Sequence, residues 1–391
     1  MSQVELTTLG KSCEFFNGKA HEKSIDENGK YIVVNSKFIS SEGKSFKRTN
    51  EQMFPLYKGD IVMVMSDVPN GKALAKCFII DQDDTYSLNQ RICCIRSKEF
   101  DTKYLYYQLN RHEHFLAFNN GENQTNLRKD DILDCPLIKP SMEEQKRMVC
   151  ELDEVFISLE KAKENISLNL ENAKSIYQSE LNRIFTEKGE NWDTKLLKEV
   201  CEKITDGTHQ TPKYFEEGFI FLSSKNVTSG FIDWDNVKYI DEKQHLEMQK
   251  RVSPKKGDIL LAKNGTTGVA AMVDRDVVFD IYVSLAWLRS KGDVLPEFLL
   301  VFVNSPVAKK QFNHRLKGIG VPNLHLEEIR EVEISYPKSK EAQMELVKFF
   351  NSLLAKTKSL EEKYIHKLEK VEELKSGILK RAFENELIEA E

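Results

Sequence analysis

The 391-residue sequence lacks the residue patterns that mark most enzyme active sites. It contains no phosphate-binding G-x-x-x-x-G-K-S/T loop, no G-x-G-x-x-G turn after a strand, no zinc-binding H-E-x-x-H and no G-x-S-x-G nucleophile turn. The Asp/Asn-Pro-Pro-aromatic run of amino-methyltransferases is also missing, and the eight histidines show no metal-ligand spacing. These absences disfavour a self-contained nuclease or methyltransferase. We therefore expect no catalytic residue, no metal and no cofactor.

Long apolar runs and paired cysteines are also missing. The mean hydropathy is −0.48, and no stretch is apolar enough to predict a transmembrane span or a secretory signal. Seven cysteines without a C-x-x-C pair are typical of reduced, mostly buried thiols, so we expect a cytoplasmic protein. The net charge of −5 means that any DNA-binding surface must be local.

Glycine and proline are absent from residues 141–185, which predicts one unusually long helix. Ser141 is the expected N-cap, directly after Pro140. An apolar stripe of near-heptad spacing requires a partner helix. The stripe consists of Leu152, Val155, Leu159, Ala162, Ile166, Ala173 and Ile176.

A second stretch, residues 339–383, follows Pro337 and has a similar apolar stripe, so it is the expected partner helix. Its stripe consists of Leu346, Phe350, Leu353, Thr357, Leu360, Tyr364, Leu368, Val371, Leu374 and Ile378. Both stretches end in Arg-x-Phe, and the two phenylalanines are 383 − 185 = 198 residues apart. Matching starts and ends indicate an internal duplication, with the two helices packed antiparallel.

The sequence before each helix is duplicated as well. Gly59-Asp60 and Gly257-Asp258 each precede an alternating apolar segment, which predicts a turn into a strand. The predicted fold class is α+β: two tandem mixed α/β globules separated by two long antiparallel coiled-coil helices, with a pseudo-twofold internal repeat. The predicted domains are a globule at 1–140, a spacer helix at 141–187, a second globule at 188–337 and a C-terminal spacer helix at 338–391.

Polar loops at equivalent places in the two halves are candidates for contacting DNA, since amides and hydroxyls can bond to base edges and lysines to phosphates. In the first half the candidates are Lys19, Asn35, Lys37, Ser66, Asn89, Gln90, Arg91 and Gln124. In the second half they are Thr208, His209, Lys225, Asn226, Lys263, Asn264, Thr266, Thr267, Lys309, Lys310 and Lys317. Residues 263–268 are expected to form a hairpin tip. For any single residue, an ordinary solvated turn remains the competing interpretation.

These motifs resemble one known family, the specificity subunits of type I restriction–modification systems. The resemblance rests on the run Asp206-Gly207-Thr208-His209, on Ser224-Lys225-Asn226-Val227, on Lys256-Gly257-Asp258-Ile259-Leu260 and on the helix starts Pro140…Glu144-Gln145 and Pro337…Ala342-Gln343. It covers the whole chain. The first half departs from the Asp-Gly-Thr-His pattern and has Asn17-Gly18-Lys19 there, which leaves its contact residues less defined.

The resemblance implies a non-enzymatic subunit that binds double-stranded DNA. Each globule would recognise one half of a bipartite asymmetric site. The helices would set the spacer length and dock two methyltransferase subunits, and restriction (motor-nuclease) subunits would join the assembled complex. An alternative is a coiled-coil scaffold whose globules bind protein. Such a scaffold would show no specific affinity for duplex DNA, so DNA binding and its salt dependence discriminate the two.

Overall fold

A computed structural model describes residues 5–69, 71–228, 230–265, 267–315 and 323–390, with side chains as far as residue 383. Its contacts divide the chain into a first unit, residues 1–165 with 367–391, and a second unit, residues 166–366. Both divisions fall inside the long helices, so each unit contains part of both. The predicted Thr266 and Lys317 contacts lie outside the described residues.

The first unit consists of short strands and short helices ahead of the first long helix. Its strands are β1 (Glu5–Thr8), β2 (Glu14–Asn17), β3 (Tyr31–Val34), β4 (Lys47–Thr49), β5 (Ile61–Val64), β6 (Ser66–Asp67), β7 (Cys77–Ile79), β8 (Tyr86–Leu88), β9 (Ile92–Arg96), β10 (Thr125–Asn126) and β11 (Pro136–Lys139). Its short helices are α1 (Leu9–Ser12), α2 (Ser36–Ser40), α3 (Thr102–Leu109), α4 (Glu113–Leu116) and α5 (Lys129–Leu133). The long helix α6 (Met142–Glu187) begins in this unit.

The second unit repeats this succession. Its strands are β12 (Trp192–Leu196), β13 (Cys201–Asp206), β14 (Phe219–Leu222), β15 (Lys238–Ile240), β16 (Ile259–Ala262), β17 (Ala270–Met272), β18 (Phe279–Ile281), β19 (Leu285–Ser290) and β20 (Glu333–Pro337). Its helices are α7 (Leu197–Val200), α8 (Glu242–Gln249), α9 (Pro296–Val303), α10 (Pro306–Arg315) and α11 (Leu326–Arg330), with a 3-10 turn at Ser224–Val227. The long helix α12 (Lys340–Ala390) begins here.

Three sheets recur in the two units with the same strand order. A four-stranded antiparallel sheet has the order β2-β9-β5-β7 in the first unit and β13-β19-β16-β17 in the second. A three-stranded mixed sheet has the order β4-β3-β8 and β15-β14-β18, and a two-stranded sheet is β1-β11 and β12-β20. This correspondence confirms the predicted duplication.

An ion pair recurs at the same place in both four-stranded sheets. The Arg96 guanidinium donates to both carboxylate oxygens of Asp60 at 2.6 and 2.8 Å, and Arg289 does the same to Asp258 at 2.8 and 2.7 Å. Gly59 and Gly257 precede these carboxylates with φ of +91° and +89°, a conformation that favours glycine. The Gly-Asp motif therefore supplies both the turn into the strand and the acceptor that ties the neighbouring strand to it.

A buried glutamine fixes the start of each long helix. The Gln145 side chain accepts from the backbone N–H of Asp101 at 2.7 Å and donates to the Pro140 carbonyl at 3.0 Å. Gln343 makes the equivalent bonds with Leu295 at 2.7 Å and Pro337 at 2.8 Å. The predicted N-cap is confirmed, since Ser141 Oγ accepts from the Glu144 N–H at 3.2 Å.

Within the first unit, α6 and α12 run antiparallel. Glu160 of α6 pairs with Lys375 of α12, and Lys163, further along α6, pairs with Glu372, which comes earlier on α12. Within the second unit, Phe185 near the end of α6 packs edge-on against Phe298 and Phe302 of α9, with ring centroids 5.6 and 5.4 Å apart. Within the first unit, Phe383 of α12 packs edge-on against Tyr104 of α3, with ring centroids 5.5 Å apart, so each Arg-x-Phe end packs against a short helix of a globule.

The predicted apolar stripes are partly wrong. Val155 and Ile176 are 41% and 42% exposed, and Leu374 is 52% exposed. Leu152 and Ala173 of the predicted stripe are buried, and the other buried apolar residues of α6 are Met148, Val149, Phe156, Leu181 and Phe185. Phe156 turns inward because it packs against Tyr107 of α3, so a globule as well as a helix determines which face is buried.

Candidate nucleic-acid interface

A glycine crosses closely over another backbone segment at the same point of each unit. A Cβ on Gly18 would lie 1.9 Å from the carbonyl oxygen of Asn89, and a Cβ on Gly207 would lie 1.8 Å from that of Ile281. No side chain fits at such distances. The next residues, Lys19 and Thr208, form isolated parallel bridges with Asn89 and Tyr282. The predicted match between Asn17-Gly18-Lys19 and Asp206-Gly207-Thr208 therefore holds in the structure.

Backbone hydrogen bonds gather the predicted loops at this crossing. In the first unit, Asn89 N donates to Val34 O, Gln90 N to Lys19 O and Met65 N to Arg91 O, at 3.0–3.1 Å. In the second unit, Tyr282 N donates to Leu222 O, Val283 N to Thr208 O and Lys263 N to Ser284 O, at 2.9–3.0 Å. We call the surface formed by these loops the recognition edge. Its members in the first unit are 19, 35, 65–66 and 89–91, and in the second unit 208, 223, 263–264 and 282–284.

Several first-unit candidates at or beside this edge have hydrogen-bond partners in the protein. Asn35 caps α2 by accepting from Phe38 N at 2.9 Å, and Asn89 Oδ1 accepts from His21 N at 3.2 Å. The Gln124 amide donates to Ser66 Oγ at 2.9 Å. Further exposed candidates are Lys19, Lys37, Gln90 and Arg91. The first-unit edge therefore offers amides, a hydroxyl and lysines to a ligand.

The second-unit edge is built around a buried carboxylate. Asp206 is 2% exposed and accepts from Lys263 Nζ at 2.6 Å and from Arg251 Nη2 at 2.9 Å. His209 Nε2 lies 3.4 Å from the same carboxylate. Lys263 itself is 5% exposed, so its ammonium is directed into the protein. The exposed side chains at this carboxylate are those of Arg251 and His209, which are 54% and 62% exposed.

Two asparagines lie next to this cluster. Asn264 forms an isolated antiparallel bridge with Asn323, the residue that corresponds to Asn126 in the first unit. The Oδ1 atoms of both are buried and have no hydrogen-bond partner among the described residues. The predicted hairpin is confirmed, since β16 pairs antiparallel with β17 across this tip. Thr267 Oγ1 donates back to the Lys263 carbonyl at 3.4 Å.

The remaining second-unit candidates divide into exposed and internal residues. Lys225 and Lys310 are exposed, and Lys309 packs beside Gly268 of the hairpin. Asn226 is buried. Its Oδ1 accepts from Ser223 N at 2.9 Å, and its Nδ2 donates to the carbonyls of Asp233 and Asn236 at 3.3 and 3.0 Å. Its geometry is that of a residue that orders its own loop.

Three residues of this surface were not predicted as site residues: Tyr282 of the recognition edge, Asn323 opposite Asn264, and Arg251 at the Asp206 carboxylate. Asn323 had a usable signal, because Asn323-Leu324 repeats Asn126-Leu127. Arg251 had none, since it follows α8, a helix with no counterpart in the first unit.

The family described as "Type I restriction modification DNA specificity domain" matches residues 1–170 and again 189–370. The chain belongs to this family. The specificity subunit of the type I restriction enzyme MjaVIII from Methanocaldococcus jannaschii is 24% identical over 394 residues, covering 94% of this chain and 90% of the relative. The EcoBI specificity subunit from Escherichia coli is 22% identical over 329 residues, covering 77% of this chain and 69% of the relative.

Solved structures support the fold of this specificity chain. A chain from a study of complex assembly and conformational transition in the type I R-M system has a TM-score of 0.74 at 17% identity, covering 97% of both chains. The HsdS subunit from Thermoanaerobacter tengcongensis has a TM-score of 0.59 at 16% identity, covering 97% of this chain and 96% of that one. The predicted fold class is confirmed.

Family membership also confirms the predicted function: the chain is a DNA sequence-recognition subunit of a type I restriction–modification system, and its role is non-catalytic. Among the described residues, every helix is either too short or insufficiently apolar to cross a membrane. Within the same ranges, no group of three or more His, Cys, Asp or Glu side chains is arranged to hold a metal ion. All seven cysteines are free thiols.

Proposed function

We propose that each unit recognises one half of a split, asymmetric DNA sequence through its recognition edge. The main support for this proposal is that the two units share the same backbone arrangement at the edge but carry different side chains on it. The crossing glycine and the three edge hydrogen bonds are the same in both units, whereas Asn17 and Met65 stand where Asp206 and Lys263 stand. A constant frame with variable side chains suits a subunit that must hold two duplex segments alike and read them differently.

The proposal assigns base contact to amides and hydroxyls of the edge and phosphate contact to the flanking lysines. Asn264 and Thr267 are the base-reading candidates of the second unit, and Lys309 and Lys310 on α10 are its phosphate-binding candidates. Amides distinguish base edges by donor and acceptor pattern, whereas an ammonium attracts any phosphate.

The long helices are assigned to spacing and docking, with the recognition domains at 1–140 and 188–337 and the helices at 141–187 and 338–391. Docking is supported by apolar side chains that α6 and α12 leave exposed in the second unit, namely Leu168, Ile176, Phe349, Leu360 and Ile365. We assign this helical surface to two methyltransferase subunits in a cytoplasmic complex, which restriction subunits then join.

The assignment of base and phosphate contacts is tested by DNA binding of the chain in complex with its methyltransferase. Asn264→Ala or Thr267→Ala should cost about 1–3 kcal/mol on the specific duplex and alter one half-site only. Lys309→Ala with Lys310→Ala should weaken specific and random duplexes alike and reduce the salt dependence of binding. Equal effects of both sets of changes on specific and random DNA would refute the base-reading role of the hairpin tip.

The spacing role is tested by lengthening α6. Four residues inserted after Ala162 add about 6 Å to the helix, since each residue contributes ~1.5 Å. The spacer between the half-sites should then lengthen by about one or two base pairs while the half-site sequences stay the same, because duplex DNA rises ~3.4 Å per pair. An active insertion variant with an unchanged spacer would show that another element sets the distance.

A further inference from the structure

Two positively charged side chains donate hydrogen bonds to the Asp206 carboxylate, although one would be enough to neutralise it. Lys263, buried beside it, already supplies one compensating charge at 2.6 Å. Arg251 adds a second cation at 2.9 Å, although its side chain is 54% exposed. A guanidinium in that position is held by a buried acceptor and still faces outward. This arrangement differs from a surface ion pair, in which both partners move freely in solvent.

Most of the hydrogen-bonding capacity of Arg251 remains available. A guanidinium carries five N–H donors in a planar fork. Among the described residues, the hydrogen bond of this side chain is the one from Nη2 to Asp206 Oδ1. The neighbouring surface is the recognition edge, because Asp206 directly precedes the crossing glycine and Lys263 directly precedes Asn264.

We infer that Arg251 is a specificity-determining residue that reads a guanine in the half-site bound by the second unit, and that Asp206 is its positioning residue. The inference rests on the proposed function of the recognition edge. Guanine presents two acceptors, O6 and N7, in the major groove, and a guanidinium fork matches both. A fork already held by a carboxylate loses less conformational entropy on binding than a free one, which favours a defined base over a diffuse phosphate contact.

The first unit lacks this arrangement. Asn17 precedes its crossing glycine. Met65 occupies the edge position of Lys263, since the Met65 N–H donates to the Arg91 carbonyl as the Lys263 N–H does to the Ser284 carbonyl. Neither side chain can hold an arginine by charge. The guanine read by Arg251 is therefore confined to one half-site.

The decisive experiment measures binding of the complex with its methyltransferase to duplexes that carry each of the four base pairs at each recognised position. Arg251→Ala should reduce discrimination at one G·C pair, in one half-site, by roughly 10- to 100-fold, and leave the other positions unchanged. Arg251→Lys keeps the charge but loses the fork, so it should relax the same position. Arg275→Ala is the matched control, since that arginine of the second unit is also exposed, lies over the Trp234 ring and is outside the recognition edge.

Three results would overturn the inference. One is unchanged discrimination in Arg251→Ala. Another is equal weakening on specific and random duplexes with a smaller salt dependence, which identifies a phosphate contact. The third is relaxation in the other half-site. If the unsubstituted complex showed no bipartite specificity at all, the proposed function would fail, and that result is distinguishable from a specific complex that Arg251→Ala leaves intact.

The positioning role of Asp206 needs its own test. Asp206→Asn combined with Lys263→Met removes the carboxylate without leaving a buried lysine unpaired, and it introduces the residue types of the first unit. This variant should relax the same G·C pair, and adding Arg251→Ala should relax it no further. Additive losses would show that Asp206 does not act through Arg251.

Discussion

The first and second units share a backbone frame and differ in the side chains of the recognition edge and of the residue before its crossing glycine. Both have the same strand orders, the same crossing glycine and the same Asp–Arg pair between strands. At these positions the first unit has a methionine and an exposed asparagine, and the second has a buried ion pair with an arginine and a histidine attached. The frame depends on glycine and on backbone hydrogen bonds, so the edge side chains can change while the fold is maintained.

The largest expected effect comes from breaking the charged centre of the second unit. Asp206→Asn alone should lower the free energy of unfolding of that unit by about 3–5 kcal/mol, because Lys263 is left buried without its carboxylate. Adding Lys263→Met should recover most of the loss, since the combination matches Asn17 and Met65. Urea unfolding of the full chain measures both variants. A single variant as stable as the double variant would contradict the buried-pair interpretation.

A smaller effect, equal in the two units, is expected at the crossing glycines. Gly18→Ala and Gly207→Ala should each cost about 1–3 kcal/mol, because the new methyl group meets a carbonyl oxygen and the backbone must shift. Gly377→Ala is the control of opposite sign. It lies within α12 with open space around it, and alanine there should stabilise by about 0.5–1 kcal/mol. Unequal costs at the two crossings, seen in thermal unfolding, would show that the frames are not equivalent.

The smallest effect is expected at the pair between the long helices of the first unit. Lys163 and Glu372 are 41% and 56% exposed, so Glu372→Ala should cost less than about 1 kcal/mol and the loss should shrink with added salt. Chemical unfolding at low and high salt measures it. A loss well above that value would mean that surface charge, rather than packing of apolar side chains, holds the helices together.

The internal repeat made the fold predictable from the sequence. The site was less predictable, because the hydrogen-bond partners of its loop side chains cannot be read from the sequence. Matching prolines, Gly-Asp turns and Arg-x-Phe ends predicted the duplicated frame and both long helices. The same reasoning treated Lys263 and Asn226 as exposed contacts, because a polar side chain in a loop gives no sign of an internal acceptor. Lys263 faces Asp206 across 57 residues of sequence, and Asn226 bonds its own loop. Arg251 stayed unnoticed because its partner is distant in sequence and its segment has no repeat.

The central claim is that two equivalent edges read two separate half-sites. It is tested most directly by mapping methylated adenines across a genome in cells that express this chain with its methyltransferase, with and without Asn264→Ala. The account predicts a bipartite motif with an unspecified spacer, and a change confined to one half in the variant. A contiguous motif, or a change in both halves, would contradict it.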